Sequence, residues 1–329
     1  MKPVNPNEQL GRIKLSSYIT PKADDSEIDF FAQFGIPYAY TWFNNLADNK
    51  DVIRDLKERL AARGITLYNA GDMTVAKSRD IHLATPERDR MIDEFIRTLE
   101  ALSELGIYTT TFTWEPDQVW STGKVPGRGA AACRYVDEDQ LAKEPVKHGR
   151  VYKKDELWEN FAYFMKRIIP GAERTGVRLS LHPNDPPMES IAGVDCLITS
   201  FEDYRKAFSI ANSPYLGMEF CCGCWLEGGD RFGDIKKAIR EFVGEGRVFV
   251  THFRNIDATM PVFHETFLDD GYADMFGIME AFYEADYDGT LIYDHTPQVT
   301  AGNDAASAYA MGYIKALMNA ASKKVRGVL

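Results

Sequence analysis

The 329-residue chain predicts an α/β fold, a (β/α)8 barrel with a long loop after its fourth strand, and three observations carry that prediction. Short β-rich runs alternate with longer helical runs eight times. Alternating strand–helix units imply parallel strands joined by right-handed crossovers, and eight of them close a barrel. The turn after the first strand, Ser17-Tyr18-Ile19-Thr20-Pro21, has no GxGxxG phosphate turn, which an open doubly wound sheet would normally show there. Residues 1–329 therefore read as one barrel domain.

Taken in order, strands are expected over residues 12–19, 36–42, 65–69, 107–114, 177–182, 215–221, 247–252 and 290–294. Each is a short β-branched or aromatic run. Helices are expected over 24–33, 48–63, 86–105, 155–175, 200–210, 232–243, 272–285 and 303–321. The second shows Val52, Ile53, Leu56 and Leu60 at helical spacing. The third opens at Thr85-Pro86-Glu87 and stops at Gly106. Residues 115–150 are rich in Gly, Pro and charge, without clean periodicity, and read as an active-site loop or lid.

Composition narrows the function classes. The chain is 45% hydrophobic and 26% charged, ordinary globular values. Lys plus Arg total 38 and Asp plus Glu 49, a net charge of −11. That argues against a nucleic-acid binder or a coat for anionic membranes. No apolar run is long enough for a transmembrane helix, and the polar residues 1–10 lack the apolar stretch of a secretory leader. Five cysteines, Cys133, Cys196, Cys221, Cys222 and Cys224, form no disulfide framework, so a cytoplasmic location is expected.

In a barrel, residues at the C-terminal strand ends converge on the active site. Strands five to eight end in His182, Cys221, His252 and Asp294. Two imidazoles, a thiolate and a carboxylate suit one Mn²⁺, Fe²⁺, Co²⁺ or Zn²⁺ ion better than Mg²⁺ or Ca²⁺. Plainer roles exist for each: a buried core thiol for Cys221, a turn cap for Asp294. The Cys221-Cys222-Gly223-Cys224 run could be a separate redox or zinc site, although no second cysteine pair completes a four-thiolate set. If the strand pleat persists, Cys222 points away from Cys221.

Several motifs then occur in order: His182-Pro183-Asn184-Asp185-Pro186-Pro187, Ser213-Pro214, Phe220-Cys221-Cys222-Gly223, His252-Phe253-Arg254-Asn255, Phe263-His264-Glu265, Asp274-Met275 and Asp294-His295, with Arg88-Asp89 and Trp120 upstream. Together they resemble the D-mannonate dehydratases, within the xylose-isomerase-like TIM-barrel group. The resemblance implies a hydro-lyase with one divalent ion, usually manganese, on His182, Cys221, His252 and Asp294. It also implies proton transfer by His295 and a substrate contact from Arg254, with Asn255 beside it. Dehydrating a sugar acid removes the proton α to the carboxylate and expels the β-hydroxyl. A metal can stabilise the enediolate, and an acid and a base move the protons. His264 or Glu265 could supply or orient the second proton-transfer group.

The chain departs from the family pattern around the substrate. Trp120 is followed by Ser121-Thr122 where an Arg is expected, Tyr293 and Thr296 flank the Asp-His pair, Gly302-Asn303 replaces a Gly-Tyr, and Tyr309 replaces an Arg. With Trp42, Trp114, Trp120, Tyr293 and Tyr309 as aromatic contacts, the expected substrate is less anionic or bulkier than D-mannonate. A metal-dependent sugar isomerase or epimerase is the second reading, and a sugar-binding barrel without chemistry the third. The expected partner is a small sugar or sugar acid, with no nucleic acid and no membrane, and with homo-oligomerisation an ordinary possibility for such a barrel.

Overall fold

The computed structural model describes residues 12–117 and 119–327; the polar segment 1–10 lies outside them. Eight parallel strands form one sheet: β1 (Lys14–Tyr18), β2 (Tyr38–Phe43), β3 (Thr66–Asp72), β4 (Thr109–Thr113), β5 (Arg178–His182), β6 (Leu216–Cys221), β7 (Val248–His252) and β8 (Thr290–Ile292). They pair in chain order, β8 pairs with β1, and the β3 and β4 edges lie against each other, which brings the sheet round into a TIM barrel. In this ring β3 stands opposite β7, and β4 opposite β8.

The outer layer is α1 (Asp25–Gln33), α2 (Lys50–Ala61), α3 (Arg88–Glu104), α4 (Lys154–Thr175), α5 (Phe201–Ala211), α6 (Ile235–Gly244), α7 (Met275–Glu284) and α8 (Asn303–Val325). Each turns an apolar stripe onto the sheet. In α2 the stripe is Ile53, Leu56 and Leu60, whereas Val52 faces out. In α6 it is Ala238, Ile239 and Phe242, and the Asp234 carboxylate accepts from the Lys236 and Lys237 amides to cap the first turn. The main core lies between sheet and helices, where Phe95, Phe112 and Phe164 pack together.

Four local departures from the sequence pattern shape the site. First, the loop after β4 is partly ordered. Gly123–Pro126 and Ala132–Asp137 form an antiparallel hairpin, and the second strand pairs with Val262–His264 from the loop after β7. Its pairing partner lies far downstream, so local periodicity could not reveal it. Second, β6 passes directly into a short helix, Cys222–Gly228, so the pleat stops at Cys221. Third, β8 ends at Ile292, and Asp294 adopts a left-handed conformation with φ +62°. Fourth, short helices Met73–Ala76 and Arg79–His82 follow β3, capped by Asp72 and Ser78. Among the described residues no helix is long and apolar enough to cross a membrane.

Candidate active site

A cavity of about 230 Å³ opens at the C-terminal ends of the strands. One side carries His182, Asp185, Glu219, His252, Asp294 and His295. The other carries Tyr40, Trp42, Asn69, Met73, Lys77, Thr111, Thr113 and Val119. Trp42 lies flat on β3, where a Cβ at Gly71 would sit 2.2 Å from the indole, so only glycine lets this wall form.

The metal-capable groups gather on the β5–β8 side. Cys221, His252 and Asp294 place ligand atoms within 4.8 Å of one another, and so do His182, Cys221 and Cys224. His182 Nδ1 donates to the Pro183 carbonyl at 2.7 Å, which leaves Nε2 as the donor atom of that ring. His252 Nε2 meets Glu219 Oε1 at 2.8 Å, and its Nδ1 faces Asp294 Oδ1 at 3.3 Å. That Nδ1 is buried with no hydrogen-bond partner. Cys221 caps the short helix, its Sγ accepting from the Cys224 amide at 3.4 Å.

Electrostatics fit a cation there. Burial alone would raise the Cys221 thiol, yet hydrogen bonds from Cys224, His182 and His252, with the Arg254 charge, hold it well below its ordinary value. Burial would lower His182, yet Cys221 and Glu219 push it up to about 9. His252 is likewise raised against burial by Asp294 and Glu219. A field that raises proton affinity at two partly buried imidazoles also favours a divalent ion, and ion and proton compete for the same nitrogens. The donor set fits a transition metal, with sulfur and nitrogen alongside one carboxylate.

Behind this cluster lies a buried ion network. Arg254 is 1% exposed. Its Nε donates to Asp294 at 2.9 Å, and its terminal nitrogens to Glu227, Glu265 and Asp185 at 2.7, 3.1 and 3.1 Å. It passes over Gly223, where a Cβ would lie 2.4 Å from the guanidinium carbon. Arg134, from the hairpin, adds bonds to Asp185 at 2.6 Å and Glu265 at 3.0 Å. Burial and Asp185 push Glu227 up to about 8 despite both arginines. His295 Nδ1 lies 2.8 Å from Glu265 Oε1, and its Nε2 3.5 Å from Asp294 Oδ1. Burial would lower this imidazole, but Asp294 and Glu265 push it up to about 9.

The structure thus brings His182, Cys221, His252, Asp294, His295 and Glu265 together, and places the other expected contacts elsewhere. Arg254 is saturated by four carboxylates and does not line the cavity. Asn255 is buried and ties its own loop, donating to the Leu268 and Ala273 carbonyls. His264 pairs with Asp257 at 2.9 Å, away from the cavity. Trp114 is buried against His82 and Phe161, and with Trp120 borders a smaller neighbouring cavity. Tyr293 is engaged by Ser17 and Ser307. Tyr309 is exposed and donates to Asp269 at 2.8 Å. Of the aromatic residues expected to contact the substrate, Trp42 lines the cavity, whereas Trp114, Trp120, Tyr293 and Tyr309 do not.

Sequence reasoning missed Glu219, Asn69, Lys77 and Arg134. Glu219 had a signal: it lies two residues before Cys221 on β6 and so shares its side of the sheet. Lys77 had none, because the short helices that carry it have no periodic pattern of their own.

A model of the family D-mannonate dehydratase (UxuA) matches residues 135–327. The mannonate dehydratase of Thermotoga maritima is 30% identical over 302 residues, covering 80% of this chain and 80% of its own. Mannonate dehydratase 2 of Halalkalibacterium halodurans is 29% identical over 275 residues, covering 75% and 78%. The crystal structure of mannonate dehydratase from Streptococcus suis serotype 2 superposes with a TM-score of 0.86 at 22% identity, covering 96% of this chain and 95% of that one, which establishes the shared fold. With the match spanning β5 to β8 and every strand end that carries the cluster, this chain belongs to the D-mannonate dehydratase family, a family of hydro-lyases.

Proposed function

We propose that this chain dehydrates a sugar acid with the help of one divalent metal ion. The observation that carries the reading is the convergence of Cys221 with His252 and Asp294 on one hand and with His182 on the other, beside the His295–Glu265 pair, with His182, His252, Asp294 and His295 lining one side of a single cavity. An ion held by those four residues, Mn²⁺ first and Fe²⁺, Co²⁺ or Zn²⁺ within the same donor chemistry, supplies Lewis acidity to the substrate carboxylate and the adjoining hydroxyl.

The chain's own residues do the rest. His182 and His252 are each fixed by a second partner, the Pro183 carbonyl and Glu219, so their rings present a defined nitrogen. Glu265 anchors His295 through Nδ1 and leaves Nε2 to carry a proton. Loss of water needs one proton taken from the α-carbon and one delivered to the departing β-hydroxyl, and His295 serves one of these transfers. Arg254 holds Asp294 and Glu265 in place; it is a positioning residue.

The test is a screen of sugar acids, D-mannonate included, against the manganese-loaded protein, read by mass spectrometry. A product lighter than its substrate by one water is expected. A product of unchanged mass would replace this reading with isomerisation or epimerisation.

A further inference from the structure

The β3–β4 side of the cavity has no part in the chemistry just described, yet it is built for a polar ligand. Among the described residues, three that line the cavity carry a buried side-chain atom with no hydrogen-bond partner: His252, Asn69 and Thr113. The first belongs to the metal-capable cluster. Asn69 and Thr113 sit across the barrel, 3% and 4% exposed. Asn69 Nδ2 donates to Thr111 at 3.5 Å, which leaves its Oδ1 as an acceptor. Thr113 Oγ1 offers both a donor and an acceptor. Both atoms belong to residues that line this cavity, where a ligand hydroxyl would satisfy them.

Lys77 stands on the same wall. It is the lysine or arginine that lines the cavity among the described residues. Its Nζ lies 3.7 Å from Glu115 Oε2, longer than a hydrogen bond, and that oxygen also has no hydrogen-bond partner. Its neighbour His82 is held neutral and supplies no competing charge. Trp42, Met73 and Val119 interleave apolar surface with these groups, the mixture that a carbon chain bearing hydroxyls requires.

We propose that Asn69, Lys77 and Thr113 form the subsite for the distal hydroxyl end of an open-chain, six-carbon sugar acid, and that Lys77 makes the enzyme read chain length. This rests on the proposed dehydration. With the carboxylate on the β5–β8 side, a six-carbon chain crosses the mouth and reaches the β3–β4 wall. A four-carbon acid occupies the metal side and ends short of Lys77.

The experiment uses the manganese-loaded protein, the best six-carbon acid of the screen, and a four-carbon aldonate as a competitive inhibitor. Lys77→Met should raise KM for the six-carbon acid roughly ten-fold or more, the scale of a lost hydrogen bond to a charged group, with kcat changed far less. The inhibition constant of the four-carbon acid should move less than three-fold. Thr113→Val, close in shape, should raise the same KM several-fold. KM within two-fold of wild type in both variants, or an equal loss for the four-carbon acid, would overturn the subsite while leaving the dehydratase reading intact. Failure of the wild-type protein to release water from any sugar acid would instead remove that reading and this subsite with it.

Discussion

Two histidines on different sides of the barrel mouth are shifted in opposite directions. His182, at the end of β5, is pushed up to about 9 because the Cys221 thiolate and Glu219 outweigh its burial. His82, after β3, is pushed down to about 3, because burial and the Lys77 charge outweigh a hydrogen bond with the Glu115 backbone. Its ring lies against Trp114, with centroids 4.4 Å apart. Burial is the same in kind at both places; the sign of the neighbours decides. The β5–β8 side accumulates negative charge and attracts cations, whereas the β3–β4 side offers neutral oxygens and one lysine. A barrel mouth can thus divide its labour, with reactive groups on one arc and recognition of the substrate's far end on the other.

The division breaks most severely if the β5–β8 arc is dismantled. His252→Ala removes a donor from the centre of the cluster. We expect the purified variant to lose most of its metal by elemental analysis and its turnover to fall by roughly three orders of magnitude or more, since several kcal/mol of charge stabilisation goes with the ion. His295→Asn separates the two functions of the arc. It should keep its metal while kcat falls roughly 10²- to 10⁴-fold, the range of a general acid or base. Undiminished metal in His252→Ala would remove that residue from the donor set, and joint loss of metal and activity in His295→Asn would move His295 into it.

The opposite arc is tested by acid. His82 is protonated less readily folded than unfolded, with a folded value of about 3 against the ordinary 6.5. Below pH 6.5 the unfolded chain therefore binds more protons, and stability falls as pH drops towards 3. Between pH 6.5 and 4.5 this amounts to about 2–3 kcal/mol at 1.36 kcal/mol per unit. Urea unfolding of the wild type and of His82→Gln at both pH values isolates the contribution. The wild type should lose about 2 kcal/mol more than the variant; equal losses would mean that His82 is not held neutral.

Much of this contrast was legible in the sequence, and unevenly so. The eight strand–helix units follow from periodicity, and His182, Cys221, His252 and Asp294 stand at strand ends because a barrel forces its chemistry there. The β3–β4 wall was hidden. Asn69 and Thr113 are polar residues inside strands, where a sequence shows only that they are polar and not which side of the barrel wall they take. The family resemblance makes Arg254 a substrate contact, yet it becomes a buried strut, because Asp185, Glu227 and Glu265 approach it from the segments that follow β5, β6 and β7. The left-handed turn at Asp294 was equally invisible: four residues of β-like pattern continue to 293, yet the chain bends to aim the carboxylate at His252 and Arg254.

The smallest expected effect belongs to Tyr309, where the family resemblance placed a substrate-gripping arginine. In α8 its ring packs edge-on against Phe267, with centroids 5.7 Å apart. Its hydroxyl meets Asp269 at 2.8 Å, and Arg128 sits on that same carboxylate at 2.9 Å. These groups form a surface cluster outside the cavity lining. Removing an exposed hydroxyl from such a cluster costs little, because water replaces it and the Arg128–Asp269 pair persists. Tyr309→Phe should therefore leave kcat/KM for the best sugar acid within two-fold of wild type and stability within about 0.5 kcal/mol. A ten-fold loss in kcat/KM with unchanged stability would show that α8 reaches the substrate during turnover, and the recognition arc would then extend beyond β3 and β4 to the last helix of the barrel.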